Sequence, residues 1–140
     1  MTPGETMESE RTAALNAWLA ATIDESVTVV PASTDASFRR YFRVRGDGRS
    51  WIAMDAPPDR EECGPFIDVT RRLLAAGVNV PRIHAADGEL GFLLLDDFGD
   101  VHYLARLAAG DADRLYGDAL ATLERIGCAD ASGLPVYDEP

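Results

Sequence analysis

The 140 residues carry 24 acidic against 13 basic side chains, a net charge of −11, and 46% are hydrophobic. One core can close at this length but two full catalytic lobes cannot. An acidic balance repels nucleic-acid phosphates, and apolar runs such as residues 91–95 fall far short of the roughly 20 residues of a membrane span.

All 13 bases are arginine, because the chain contains no lysine. The start, Met1 to Thr6, lacks the basic flank and apolar centre of a secretory signal, so the expectation is a soluble cytoplasmic protein without a membrane or nucleic-acid partner. Cys63 and Cys128 form no C-x-x-C pair and read as reduced structural thiols. His84 and His102 have no partner at ligand spacing and read as packed or surface residues.

In chain order, Ala14, Leu15, Trp18, Leu19 and Ile23 recur at three- and four-residue steps, which predicts an amphipathic helix between Glu8 and Ile23. Val27 to Val30 is β-branched and predicts a first strand ending at Pro31. Phe38 to Arg45 alternates, with Phe42 and Val44 on one face and Tyr41, Arg43 and Arg45 on the other. Gly46-Asp47-Gly48 suits a hairpin turn, and Trp51 to Met54 predicts a third strand stopped by Pro57-Pro58.

A second helix runs to Ala76, ended by Gly77, with Phe66, Val69, Leu73 and Leu74 expected to face the sheet. An Asp59/Glu62 capping box would bury Pro65 in the helix interior at a cost of about 3 kcal/mol, so Pro65 belongs in the first turn. Arg82 to Ala86 and Gly91 to Leu95 predict two strands around the turn Asp87 to Leu90. Beyond Gly99, Val101, Leu104 and Leu107, then Leu115, Ala119, Leu120, Leu123 and Ile126 between Asp111 and Ile126, predict two helices. Ala129 to Pro140 reads as an irregular acidic tail. The fold class is therefore α+β, a five-stranded antiparallel sheet whose first three strands form a meander, with one intervening helix.

Three stretches narrow this layout: Ala36-Ser37-Phe38-Arg39-Arg40-Tyr41-Phe42-Arg43-Val44; Met54-Asp55-Ala56-Pro57-Pro58; and Gly77-Val78-Asn79-Val80-Pro81-Arg82-Ile83 leading to Gly91-Phe92-Leu93-Leu94-Leu95-Asp96-Asp97-Phe98-Gly99. In this order and spacing the chain resembles the aminoglycoside-phosphotransferase family, and within it the anomeric N-acetylmuramate and N-acetylglucosamine kinases of cell-wall (peptidoglycan) recycling. The resemblance implies a protein-kinase-like N-lobe. Residues 1–24 would be a leading helix, 25–99 the N-lobe and inter-lobe linker, and 100–140 the start of a truncated helical C-lobe. It also implies ATP as nucleotide, an amino sugar as substrate, and Mg²⁺ held by ligands in the missing C-lobe. In the full-length protein the γ-phosphate would pass to a sugar hydroxyl.

Carried onto this sequence, the resemblance makes the loop from Ser33 to Arg39 the cover over the nucleotide phosphates. That loop has no glycine, so Ser37, Phe38, Arg39 and Arg40 are its candidate nucleotide-binding residues, the arginines as charge-assisted donors. The third strand of such kinases presents a lysine paired with a helix glutamate. Here Met54 or Asp55 stands at that place, Met54, a candidate nucleotide contact, packing beside the adenine or in the core, and Glu61 and Glu62 are partners only if the helix starts early.

Asp97-Phe98-Gly99 matches a magnesium-binding signature, but it directly follows the fifth strand, where the linker belongs. Asp96, Asp97 and Phe98 are therefore expected to meet the adenine edge through their backbone. His84 to Asp87 fails the spacing of H-x-D-x-x-x-x-N, and that motif occurs nowhere in the chain, so no catalytic or metal-binding residue is assigned. The isolated chain is expected to be inactive. Two other readings stand beside this one: a non-catalytic interaction module that self-associates through exposed C-terminal helices, and an α+β domain with an unrelated small-molecule site.

Overall fold

Helical spacing followed by alternating runs between glycine turns is the pattern that sets the order of elements. A computed structural model describes residues 3–34 and 37–136, the side chains of residues 3–6 and 34 excepted. Ala36 of the first motif stretch and the last four residues of the tail lie outside the described residues. The elements are α1 (Pro3–Thr22), β1 (Thr28–Thr34), β2 (Arg40–Arg45), β3 (Ser50–Asp55), α2 (Cys63–Ala75), β4 (Ile83–Asp87), β5 (Phe92–Asp96), α3 (Tyr103–Ala108) and α4 (Ala112–Gly127). The fold is α+β, and the five strands form one antiparallel sheet in the order β1-β2-β3-β5-β4. Among the described residues no helix is long and apolar enough to cross a membrane. The chain divides into two compact units, Met1–Pro65 with Pro81–Asp97, and Phe66–Val80 with Phe98–Pro140.

In the first unit α1 shares its core with the sheet. Leu15, Leu19 and Ile23 are buried together with Val44 of β2, Ala53 of β3, and Phe92 and Leu94 of β5. Each of these side chains larger than Ala53 contributes on the order of 1.5–3 kcal/mol relative to exposure. Ala14, expected on this face, is exposed. Strand register sorts the remaining residues. Phe42, Ala53 and Leu94 stand in one cross-strand row toward α1, while Tyr41, Met54 and Leu93 form the adjacent row on the other face. The alternation read from β2 is thus the alternation observed.

Pro31 does not end β1, contrary to expectation: the strand continues to Thr34 and Pro31 pairs with Phe42. The reason is position. β1 is an edge strand, where a missing N–H can face away from the ladder, and an irregularity follows at once between Pro31 and Ser33.

The turn from β4 to β5 is built by side chain and backbone together. Asp87 Oδ1 accepts the N–H groups of Glu89 (3.1 Å) and Leu90 (2.9 Å), and Gly91 N–H donates to the Asp87 carbonyl at 2.8 Å.

α2 begins at Cys63, so Pro65 falls in its first turn and Glu61 and Glu62 lie outside it, and from Phe66 the helix belongs to the second unit. Gly77 has φ 76°. Its N–H donates to the Leu74 carbonyl (3.0 Å) and that of Val78 to the Leu73 carbonyl (2.9 Å), the pair of bonds that closes a helix on a left-handed glycine. Arg72 pairs with Asp68 on α2 and donates to the carbonyls of Asp130 and Ser132, which ties the start of the tail to that helix. On α4 Leu115 is buried, whereas Tyr116, Leu120, Leu123 and Ile126 are exposed. Leu115 is therefore not part of the open apolar face.

Candidate functional site

The end of β3 is where the resemblance places a phosphate-binding lysine. Both residues there are fully buried, and they point to opposite faces. Met54 pairs with Tyr41 and Leu93, while Asp55 pairs with Arg40 and Phe92 on the side of α1. Instead of a cation reaching outward, this position holds a carboxylate that draws two cations in. Arg11 of α1 donates from Nε and Nη2 to Asp55 Oδ1, the Nε bond being 2.9 Å. Arg40 of β2 donates from Nε and Nη2 to Oδ2, with the Nε bond at 3.0 Å. Four charge-assisted bonds satisfy the buried carboxylate. Arg11 also donates to the Leu90 carbonyl (2.8 Å) and lies over the Phe92 ring, and Arg40 reaches Glu8 at 3.1 Å.

The loop entering β2 is organised locally. Ser37 Oγ accepts the Arg39 N–H at 3.2 Å. The Arg39 guanidinium lies 3.2 Å from Glu61, the residue considered as a helix partner for a lysine. Phe38 is exposed, with the Arg60 guanidinium 4.7 Å from its ring centre. Beside them Cys63 is buried and free, and burial raises its thiol pKa, as suits a packed thiol without nucleophilic duty.

At the exit of β5 two consecutive aspartates are held in different ways. Asp96 Oδ2 accepts the Arg82 N–H (3.0 Å), and His84 Nε2 lies 2.7 Å from Oδ1. Because a carboxylate can only accept, Nε2 carries the hydrogen. The Asp96 N–H donates back to the Arg82 carbonyl at 3.1 Å, so it is spent on β4. Asp97 instead accepts a forked pair from Arg43 of β2, Nε to Oδ2 at 2.8 Å and Nη2 to Oδ1 at 3.1 Å. Phe98 is exposed, and Gly99 takes φ 77°.

The Arg82 N–H, and secondarily His84, hold the Asp96 carboxyl below its ordinary range against the opposing effect of burial. A depressed folded pKa adds stability that is complete above the ordinary carboxylate pKa of about 3.9 and is lost as pH falls through the lower folded value. Asp96→Asn is therefore expected to lower stability near pH 7 and to flatten the acid limb of a denaturation profile, so that variant and wild type converge below about pH 4. An unchanged acid limb would contradict this assignment.

In the Asp97-Phe98-Gly99 signature the aspartate is engaged within the protein. Its carboxylate is clamped by a guanidinium, and the neighbouring carboxylate is turned to His84 and the Arg82 N–H. Among the described residues no three His, Cys, Asp or Glu side chains gather as a metal would require. What the sequence reading missed are the counter-ions: Asp55 for Arg40, Glu61 for Arg39 and Arg43 for Asp97. The pairs Arg11–Asp55 and Arg43–Asp97 are 44 and 54 residues apart in sequence, so no local period reveals them.

Residues 28–140, from the first strand through the helices after β5, match the model of the phosphotransferase enzyme family. The chain belongs to that family. The N-acetylmuramate/N-acetylglucosamine kinase of Pseudomonas aeruginosa is 47% identical over 137 residues, covering 89% of this chain and 40% of that protein. The enzyme of the same name from Pseudomonas putida is 47% identical over 113 residues, covering 80% and 33%. That of Caulobacter vibrioides is 31% identical over 161 residues, covering 95% and 44%. The chain thus spans between a third and just under half of the length of these phosphotransferase relatives.

Proposed function

We propose that the chain is the ATP-holding N-terminal portion of an amino-sugar kinase, whose full-length form transfers the γ-phosphate of ATP to the anomeric hydroxyl of N-acetylmuramate or N-acetylglucosamine in the cytoplasm. The observation that carries this reading is the 47% identity to kinases of that name, supported by the five-stranded sheet that orders the matched stretches. Phosphoryl transfer needs charge stabilisation around the γ-phosphate and a group that orients the attacking hydroxyl. These 140 residues carry no H-x-D-x-x-x-x-N motif, and the Asp96 and Asp97 carboxylates are engaged. Magnesium ligands and the sugar pocket belong to other parts of the full-length protein.

The nucleotide contacts fall to what the chain offers. Ser37, Phe38 and Arg39 border the phosphates, with Arg40 fixed behind them by Asp55 and with Met54 packed inside the sheet. The backbone after Asp96 meets the adenine edge, since the Asp96 N–H is already used. Titration of the 140-residue chain with ATP is expected to shift the amide resonances of residues 37–39 and 97–99, and no ADP is expected on adding N-acetylmuramate. Absence of any shift would overturn the nucleotide assignment. Sugar-dependent ADP release would overturn the assignment of catalysis to the remainder of the protein.

A second reading, a non-catalytic interaction module, is favoured by one observation: Leu104, Leu120 and Leu123 are more than 60% exposed, and Tyr116 beside them is 63% exposed. A concentration-dependent dimer in sedimentation, dispersed by Leu120→Glu and accompanied by no nucleotide shifts, would establish it over the kinase reading.

A further inference from the structure

The two aspartates that close β5 are pulled apart. Asp96 is held toward β4 by the Arg82 N–H and His84, and Asp97 is held toward β2, two strands away in the order β2-β3-β5, by the Arg43 fork. The second hold is strong for its location. The side chains of Arg43 and Asp97 are 13% and 5% exposed, and two parallel N–H···O bonds leave little rotational freedom. Arg43 stands in the row of Ile52 and Leu95, on the face opposite α1, so its guanidinium passes over β3 to reach the residue after β5.

We propose that Arg43, through Asp97, is a positioning residue for nucleotide recognition: the fork fixes the peptide groups leaving β5 in the orientation that receives the adenine. The inference rests on the nucleotide reading above and deepens it. With Asp96 anchored on the other side, the backbone at 96–97 is pinned from both directions before any ligand arrives, so the ordering cost of binding is met in the free protein. A segment held only by its own backbone after a strand would fray. The Asp97-Phe98-Gly99 triplet then has a role that accounts for its aspartate without a metal.

The test combines amide exchange with nucleotide titration on the 140-residue chain, comparing wild type with Arg43→Met, Arg43→Lys and Asp97→Asn. Arg43→Met is expected to speed exchange at residues 97–99 by about tenfold or more and to weaken adenosine and ATP binding by a similar factor, without changing exchange at Ala53 or Leu94. Arg43→Lys keeps the charge but not the fork and should fall between the two. Asp97→Asn preserves shape, so it reads the fork even if the arginine variants unfold. Unchanged exchange and affinity in Asp97→Asn would overturn the proposal. Faster exchange with unchanged affinity would leave a structural tie only and overturn the positioning role. A wild type that binds no nucleotide would overturn the functional reading itself, and the exchange data would still report whether the fork orders the segment.

Discussion

Replacing Asp55 with alanine is expected to destabilise the sheet unit by about 3–5 kcal/mol, the usual cost of removing one partner from a buried ionic cluster. Asp55 is fully buried, while Arg11 and Arg40 are 24% and 22% exposed and face one another across it. Without the carboxylate two like charges remain side by side, offset in part by the more exposed Glu8 that pairs with Arg40. The cluster ties α1, β2 and β3 to the turn before β5, because Arg11 also holds the Leu90 carbonyl.

The loss should come from the unpaired cations more than from the missing bonds. A triple variant, Arg11→Met, Arg40→Met and Asp55→Leu, is therefore expected to lie within about 2 kcal/mol of the wild type. Both tryptophans, Trp18 and Trp51, pack around the core of this unit. Urea unfolding followed by their fluorescence would compare the variants. A loss below about 1 kcal/mol for Asp55→Ala, or a triple variant as unstable as the single one, would show that the cluster does not hold the unit together.

Gly91→Ala is expected to be nearly as damaging, for a steric reason. Gly91 has φ 74°, and a Cβ built there would stand 1.9 Å from the Ala56 carbonyl oxygen. The approach is that close because the Ala56 N–H donates to the Gly91 carbonyl at 2.8 Å, joining the chain after β3 to the start of β5. Left-handed backbone costs a side-chain-bearing residue roughly 1–2 kcal/mol, and forced overlap in a packed region about 1–3 kcal/mol more.

Two other glycines of the same unit separate these contributions. Gly48 has φ 73° with nothing within 4 Å, so Gly48→Ala should show the backbone cost alone. Gly88 has open space and no positive φ, so Gly88→Ala should be close to neutral. The expected order of loss is Gly91, then Gly48, then Gly88, measured by the same unfolding assay. Equal effects at Gly91 and Gly48 would remove the steric part of the argument.

Much of the candidate site was legible because it depends on order along the chain. The Ser37 to Arg40 loop, the Met54-Asp55 end of β3 and the Asp96 to Phe98 exit were each recognisable from short stretches. Their chemistry was less so. Arg40 read as a donor for phosphate, and only its partner at Asp55 shows it turned inward. Asp97 read as a linker residue meeting the adenine through its backbone, and the fork that its side chain accepts from Arg43 left no trace in the sequence.

The sequence by itself determined whatever is settled within one turn or one strand. Helical spacing in α1, alternation in β2, the Asp87 turn, Pro65 in the first turn of α2 and the Gly77 helix stop all follow from backbone sterics and near-neighbour hydrogen bonds. Tertiary structure alone decided that β3 lies beside β5, that β1 is an edge strand able to carry Pro31 onward, and which carboxylate each arginine meets. Those outcomes depend on strand order and register, which bring together residues dozens of positions apart and leave no period in the local sequence.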